Sequence, residues 1–195
     1  MNWDGQKAVG ILDSGVGGLT VVKEVMRQLP GERIIYFGDT RRCPYGPRPE
    51  EEVRRFTLEI VRFLEQFPLK ALVIACNTAT AVAIDEVRKQ TSKPVLGVIE
   101  PGARAAIQAT RRGRIGVIGT QGTVRSGAYE KALKRMDPRL FVVSLACPAF
   151  VPLVENDCGG TEEARRVVES SLAPLKKYHI DTLILGCTHY PLIAD

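Results

Sequence analysis

Short aliphatic runs alternate along the chain with stretches whose apolar residues recur every third or fourth position. Ala8–Leu12 is apolar throughout and reads as a strand. "DSGVGG" at 13–18 is a glycine-rich turn. After it Leu19, Val22, Val25, Met26 and Leu29 keep helical spacing until Pro30-Gly31 stops them. Arg33–Phe37 is a second strand, and "GDTRRCPYGPRP" at 38–49 is too rich in glycine and proline to be regular. Pro49 and three glutamates open the next helix, which sets negative charge at the positive end of its dipole. Its apolar stripe is Val53, Phe56, Ile60, Phe63, Leu64 and Phe67. Ala71–Ala75 is a third strand, a helix follows to about Gln90, and Val95–Ile99 is a fourth strand.

The pattern then restarts. "RIGVIGTQG" at 114–122 repeats the layout of "AVGILDSGV" at 8–16, an apolar strand feeding a glycine-containing turn. Phe141–Cys147 is a strand. Thr161–Lys177 is a helix with a capping start that Pro174 ends or kinks, and Thr182–Leu185 is a last strand. Strands alternating with helices predict an α/β fold: two pseudo-symmetric domains, residues 1–98 and 99–195, each a mostly parallel sheet flanked by helices. Such sheets bind ligands beyond the carboxyl ends of their strands. "DSGVGG", "ACNTAT", "GTQG" and "GCTHY" all fall at such ends, so the expected active site is a cleft where one ligand meets all four. Leu192-Ile193 read as the start of a helix cut short at Asp195, as in a fragment.

Composition narrows the classes. The 195 residues are 45% hydrophobic and 25% charged, ordinary for a soluble globular protein. The net charge of +5 comes from arginines scattered over helical segments without interleaved aromatics, so no nucleic-acid surface is expected. A modest positive field suits an anionic small substrate. No apolar run reaches the ~18 residues of a membrane span. Met1-Asn2-Trp3-Asp4 lacks the features of a signal peptide. A cytoplasmic location with reduced thiols follows as the expectation. The five cysteines, Cys43, Cys76, Cys147, Cys158 and Cys187, form no C-x-x-C pair, which argues against a structural zinc site.

The chemistry gathers at two of them. Cys76 follows Leu72-Val73-Ile74, and Cys187 follows Leu183-Ile184-Leu185. Each ends its strand instead of sitting within it, and each precedes hydrogen-bonding residues, Asn77-Thr78 and Thr188-His189. Cys43, Cys147 and Cys158 read as small hydrophobes or loop residues. Backbone N–H groups at a helix start favour a thiolate, whose pKa is otherwise ~8.5. Two thiols facing one carbon permit inversion, one removing a proton and the other delivering one to the opposite face. Each sulfur then sits ~3.5 Å from the carbon, and the pair roughly 7 Å apart. Asp13 and His189, at strand-end turns of their own, are candidate proton partners.

Other chemistries use the same residues. A nucleotide module is suggested by "DSGVGG" with Asp39 in the ribose-binding place, but Thr20 stands where G-x-G-x-x-G needs its last glycine. A zinc site from Cys76, Cys187, His189 and Asp13 needs the sulfurs about 3.5–4 Å apart. A cysteine hydrolase has no use for a second matched cysteine. A non-catalytic amino-acid-binding protein predicts tight binding without entry of solvent deuterium into the ligand.

"GILDSGVGGLTV", "YFGDTRRCPYG", "ACNTAT" and "GCTHYPL" together resemble the glutamate racemases of the cofactor-independent aspartate/glutamate racemase superfamily. The resemblance spans residues 10–192. It implies interconversion of L- and D-glutamate without pyridoxal phosphate or metal, supplying D-glutamate for peptidoglycan. It makes Cys76 and Cys187 the paired acid/base residues, with Asp13 assisting the first and His189 the second. It implies substrate contacts from Asp13, Ser14, Tyr45, Gly46, Asn77, Thr78, Thr188 and His189. Thr120 is a further contact and Glu155, in "PLVEN", an acidic site position. It also implies a homodimer, and members of the family continue past Asp195 with a part that completes the first domain.

Overall fold

The computed structural model describes residues 7–194, so Met1-Asn2-Trp3-Asp4 and Asp195 lie outside the described residues. The chain divides into two compact units, Met1–Val98 and Ile99–Asp195. The first carries β1 (Ala8–Asp13), α1 (Leu19–Gln28), β2 (Ile34–Gly38), α2 (Glu50–Leu64), β3 (Leu69–Ile74), α3 (Asn77–Gln90) and β4 (Val95–Gly97). The second carries α4 (Ile99–Ala109), β5 (Arg114–Gly119), α5 (Gln121–Ser126), α6 (Ala128–Met136), β6 (Phe141–Ala146), α7 (Phe150–Glu155), α8 (Glu162–Leu172) and β7 (Thr182–Gly186). Both sheets are parallel, ordered β2-β1-β3-β4 and β6-β5-β7. The first three strands of each unit are thus arranged alike, the opening strand in the middle. That shared order makes β1 the counterpart of β5, and β3 the counterpart of β7.

Local sequence accounts for most elements. In α2 the buried residues Val53, Phe56, Thr57, Ile60, Val61 and Leu64 recur at three- and four-residue steps. They pack with Leu12, Leu72 and Ile74 of the sheet and with Ala79, Ala83 and Val87 of α3. Burying each large side chain of this set stabilises the fold by about 1.5–3 kcal/mol. The second core gathers Ile118, Cys147, Phe150, Val151, Leu175, Cys187 and Tyr190. Helix α1 has the expected apolar stripe, yet none of its residues is fully buried, and Leu19, Met26 and Leu29 stay about half exposed.

Boundaries shift where tertiary contacts or proline decide. β3 starts at Leu69, ahead of the expected Ala71, because Ala8 pairs with Leu69 across the sheet. β4 stops at Gly97, since Ile99 already opens α4. Phe67 lies beyond α2 and meets Phe63 edge to face. Pro174 ends α8 at Leu172, as a residue without a backbone N–H must, and Ala173–Tyr178 continue as a 3-10 segment. Leu192-Ile193 close a short 3-10 turn, Tyr190–Ile193, instead of opening an α-helix. Among the described residues no helix is long and apolar enough to cross a membrane.

Candidate active site

In the first unit the site is assembled where β1 and β3 end side by side. Asp13 closes β1 and is wholly buried. Its Oδ2 accepts the N–H groups of Gly15 and Gly18, both at 3.0 Å. Such bonds favour the carboxylate and offset its burial. The turn must be tight to reach back this way: a Cβ on Gly18 would stand 2.4 Å from that of Asp13. Cys76 lies one residue past Ala75, whose N–H still bonds the carbonyl of Leu12 on β1. It is the N-cap of α3, and its Sγ accepts the Ala79 N–H at 3.4 Å. Burial and then the charge of Asp13 push the Cys76 thiol up to about 11, against the pull of the Ala79 N–H, the Ser14 side chain and the Thr78 N–H. Cys76 therefore rests as a protonated thiol at neutral pH. Ser14, Asn77 and Thr78 are buried beside it.

In the second unit the same strand end is built with different chemistry. Cys187 follows β7, and its Sγ lies 3.8 Å from Nδ1 of His189. Thr188 Oγ1 is 3.5 Å from that nitrogen. On the far side of the ring, Nε2 meets Glu155 Oε1 at 2.6 Å, at the end of α7. A carboxylate there holds the proton on Nε2 and leaves Nδ1 as the acceptor facing sulfur. His189 is 2% exposed, while the Glu155 side chain is 38% exposed. Thr120, which follows β5 as Asp13 ends β1, caps α5 by accepting the Thr123 N–H. Tyr190 packs into the second core with Cys187: its hydroxyl donates to the Cys147 carbonyl at 2.9 Å and its ring stands edge-on to Phe150.

The structure thus brings Asp13, Ser14, Cys76, Asn77 and Thr78 together in one unit, and Cys187, Thr188, His189 and Glu155 in the other. The ring of Tyr45 is buried against Phe56, and its hydroxyl donates to Asp39 Oδ2 at 2.6 Å. In that position the Tyr45 phenol is engaged by Asp39. Asp39 also accepts Arg42 Nε at 2.6 Å, and its own N–H bonds the Asp13 carbonyl. It is an anchor of this loop, a role that only its strand-end position after β2 hints at in the sequence. These contacts remove the nucleotide reading. The turn N–H groups of Gly15 and Gly18 that would cradle a phosphate are spent on Asp13, and Asp39 is committed to Tyr45 and Arg42.

The thiols also set a pH response. Burial pushes Cys147, like Cys76, up to about 11. In the unfolded chain a thiol ionises near ~8.5. Between those values the folded protein holds protons that the unfolded chain has released, so stability falls as pH rises. Thermal denaturation should show a melting temperature that drops from about pH 9 upward from this cause, with a shallower drop in Cys147→Ala.

Two parallel α/β units that each place a thiol just beyond equivalent strands, near a group able to take its proton, fit the class of proteins that work by acid–base chemistry at cysteine. Residues 10–195 match the Asp/Glu/hydantoin racemase family. The glutamate racemase of Exiguobacterium sibiricum is 60% identical over 189 residues, 97% of this chain and 70% of that protein. Among solved structures, glutamate racemase isoform RacE1 from Bacillus anthracis superposes with a TM-score of 0.93 at 58% identity, covering 95% of this chain and 70% of that one. Glutamate racemase from Francisella tularensis in complex with D-glutamate gives 0.91 at 38% identity, covering 96% and 71%. The chain belongs to the Asp/Glu/hydantoin racemase family, among its glutamate racemases.

Proposed function

We propose that this protein interconverts L- and D-glutamate by proton transfer at Cα, without pyridoxal phosphate or a metal, and so supplies D-glutamate for peptidoglycan synthesis. The observation that carries the reading is the matched position of Cys76 and Cys187, just beyond the equivalent strands β3 and β7, each with a different proton partner beside it. The Francisella relative binds D-glutamate, which supports the substrate.

In the reaction one sulfur, as thiolate, takes the Cα proton: the C–H bond breaks and an S–H bond forms. The electron pair is held on the substrate carboxylate. The other thiol then gives its proton to the opposite face, and the configuration inverts. On one side His189 Nδ1 accepts the Cys187 proton to form the thiolate, and Glu155 stabilises the resulting imidazolium. On the other side Asp13 exchanges a proton with Cys76. Ser14, Asn77, Thr78, Thr120 and Thr188 supply hydroxyl and amide groups to the substrate carboxylates and amine, and Tyr45-Gly46 supplies main chain. Negative charge builds during proton removal, so donors already fixed in place at the helix starts act most strongly in the transition state.

Incubation with either enantiomer in D₂O tests the reading. Optical rotation should decay to zero while one deuterium enters at Cα, and EDTA should change neither rate. Binding without deuterium entry would favour the non-catalytic reading, and loss of activity with EDTA the zinc reading. We further propose that the protein acts in the cytoplasm as a homodimer. Light scattering that returns the mass of one chain would remove the dimer.

A further inference from the structure

Strand β2 contributes a side chain, Tyr36, that opens the motif "YFGDTRRCPYG" and to which the resemblance assigns no role. Tyr36 pairs in register with Ile11, two residues before Asp13 on β1. Its hydroxyl donates to the Gly15 carbonyl at 2.5 Å. That carbonyl is confined on its other flank by Gly38, where a Cβ would stand 2.6 Å from the Gly15 oxygen. The same phenol oxygen would lie 2.7 Å from a Cβ on Gly18. Tyr36 therefore touches both glycines whose N–H groups bond Asp13. Gly15 and Gly18 hold Asp13 through these two bonds, and Tyr36, from outside the turn, holds both glycines in place.

We propose that Tyr36 is a positioning residue for the Cys76 side of the reaction, setting the geometry of Asp13 through the Gly15 carbonyl. The inference rests on the racemase reading given above. Its phenol stays protonated, because burial and then the charges of Asp13 and Cys76 raise its pKa well above the usual tyrosine range. It therefore serves as a fixed donor, and Asp13 and Cys76 do the proton transfer. Strand β6, the counterpart of β2 in the second sheet, reads FVVSLA and carries no tyrosine. Thr120, in the place of Asp13, is held by its own helix cap. The effect of Tyr36 is accordingly one-sided.

Tyr36→Phe keeps the ring and removes only the donor. We expect it to fold with a melting temperature within a few degrees of the unaltered protein, and to lose about tenfold in kcat with KM nearly unchanged, because misplacing a proton-transfer group by less than 1 Å costs at this scale. Since L- and D-glutamate are equal in free energy, kcat/KM must fall equally in both directions. The primary isotope effects with Cα-deuterated substrates need not change equally. The effect should rise for the enantiomer that Cys76 deprotonates and not for its mirror image. That enantiomer is identified independently as the one whose Cα proton the Cys187→Ala variant still exchanges. Unchanged kcat, or isotope effects that rise equally for both enantiomers, would overturn the proposal. A crystal structure of Tyr36→Phe decides the same point without activity. Loss of at least one of the two N–H bonds to Asp13 supports it, and an unchanged turn refutes it. If the unaltered protein fails to racemise glutamate, the functional reading falls, and the crystal structure still tests whether Tyr36 holds the turn.

Discussion

Replacing Cys76 by alanine is expected to abolish racemisation, and replacing Cys187 by alanine to abolish it equally, each by at least about a thousandfold, the scale of a lost acid/base group. The loss is symmetric because inversion needs both faces served. A single remaining thiol can only remove a proton and return it to the face it came from. What remains should therefore be informative. Cys187→Ala keeps Cys76 and should exchange the Cα proton of one enantiomer with solvent, configuration retained. Cys76→Ala should do so for the other enantiomer. Mass spectrometry in D₂O on each pure enantiomer reads both outcomes. Serine at either position should rescue little, since a hydroxyl is a far weaker acid than a thiol at ~8.5. A variant that still inverted glutamate near the original rate would end the two-base mechanism. Two variants that exchanged the same enantiomer would also break it, because the thiols would then serve one face.

Much of this site can be read directly from the chain because its parts are local. An aliphatic run followed by Cys76-Asn77-Thr78 already says strand, then cap, then helix, and the structure has Cys76 as that cap. "DSGVGG" likewise signals a turn, and Asp13 folds back on the next residues through bonds that span two and five positions. The pseudo-repeat between residues 8–16 and 114–122 became the shared strand order of the two sheets. What stays hidden is set by distant contacts. Glu155 meets His189 across 34 residues, and no spacing rule links a helix end to a strand end. Tyr36 reaches Gly15 across 21 residues. The placing of the Tyr45 ring is hidden in the same way. Its ring lies in the core because Phe56 and Asp39 together satisfy both its apolar body and its hydroxyl.

His189→Asn is expected to lower kcat/KM by roughly 10²–10³, within the range of a lost general base. Asparagine keeps a polar atom near the place of Nδ1, so packing in a site that is 2% exposed survives, but it cannot take the proton of Cys187. The decline must again be equal for L- and D-glutamate, and again the isotope effects separate the directions. Proton removal by Cys187 becomes more rate-limiting, so the primary effect should rise for its enantiomer, the opposite choice to Tyr36→Phe. Glu155→Gln should cost less, about tenfold. The amide oxygen still accepts Nε2–H and keeps the tautomer, and only the charge-assisted share of the bond is lost, roughly half its strength. Glu155→Leu removes that acceptor, frees the tautomer to place its proton on Nδ1, and should approach the His189→Asn loss. A Glu155→Gln variant as impaired as His189→Asn would mean that the carboxylate itself carries protons, and the imidazole would then be a relay between Glu155 and sulfur instead of the terminal acceptor.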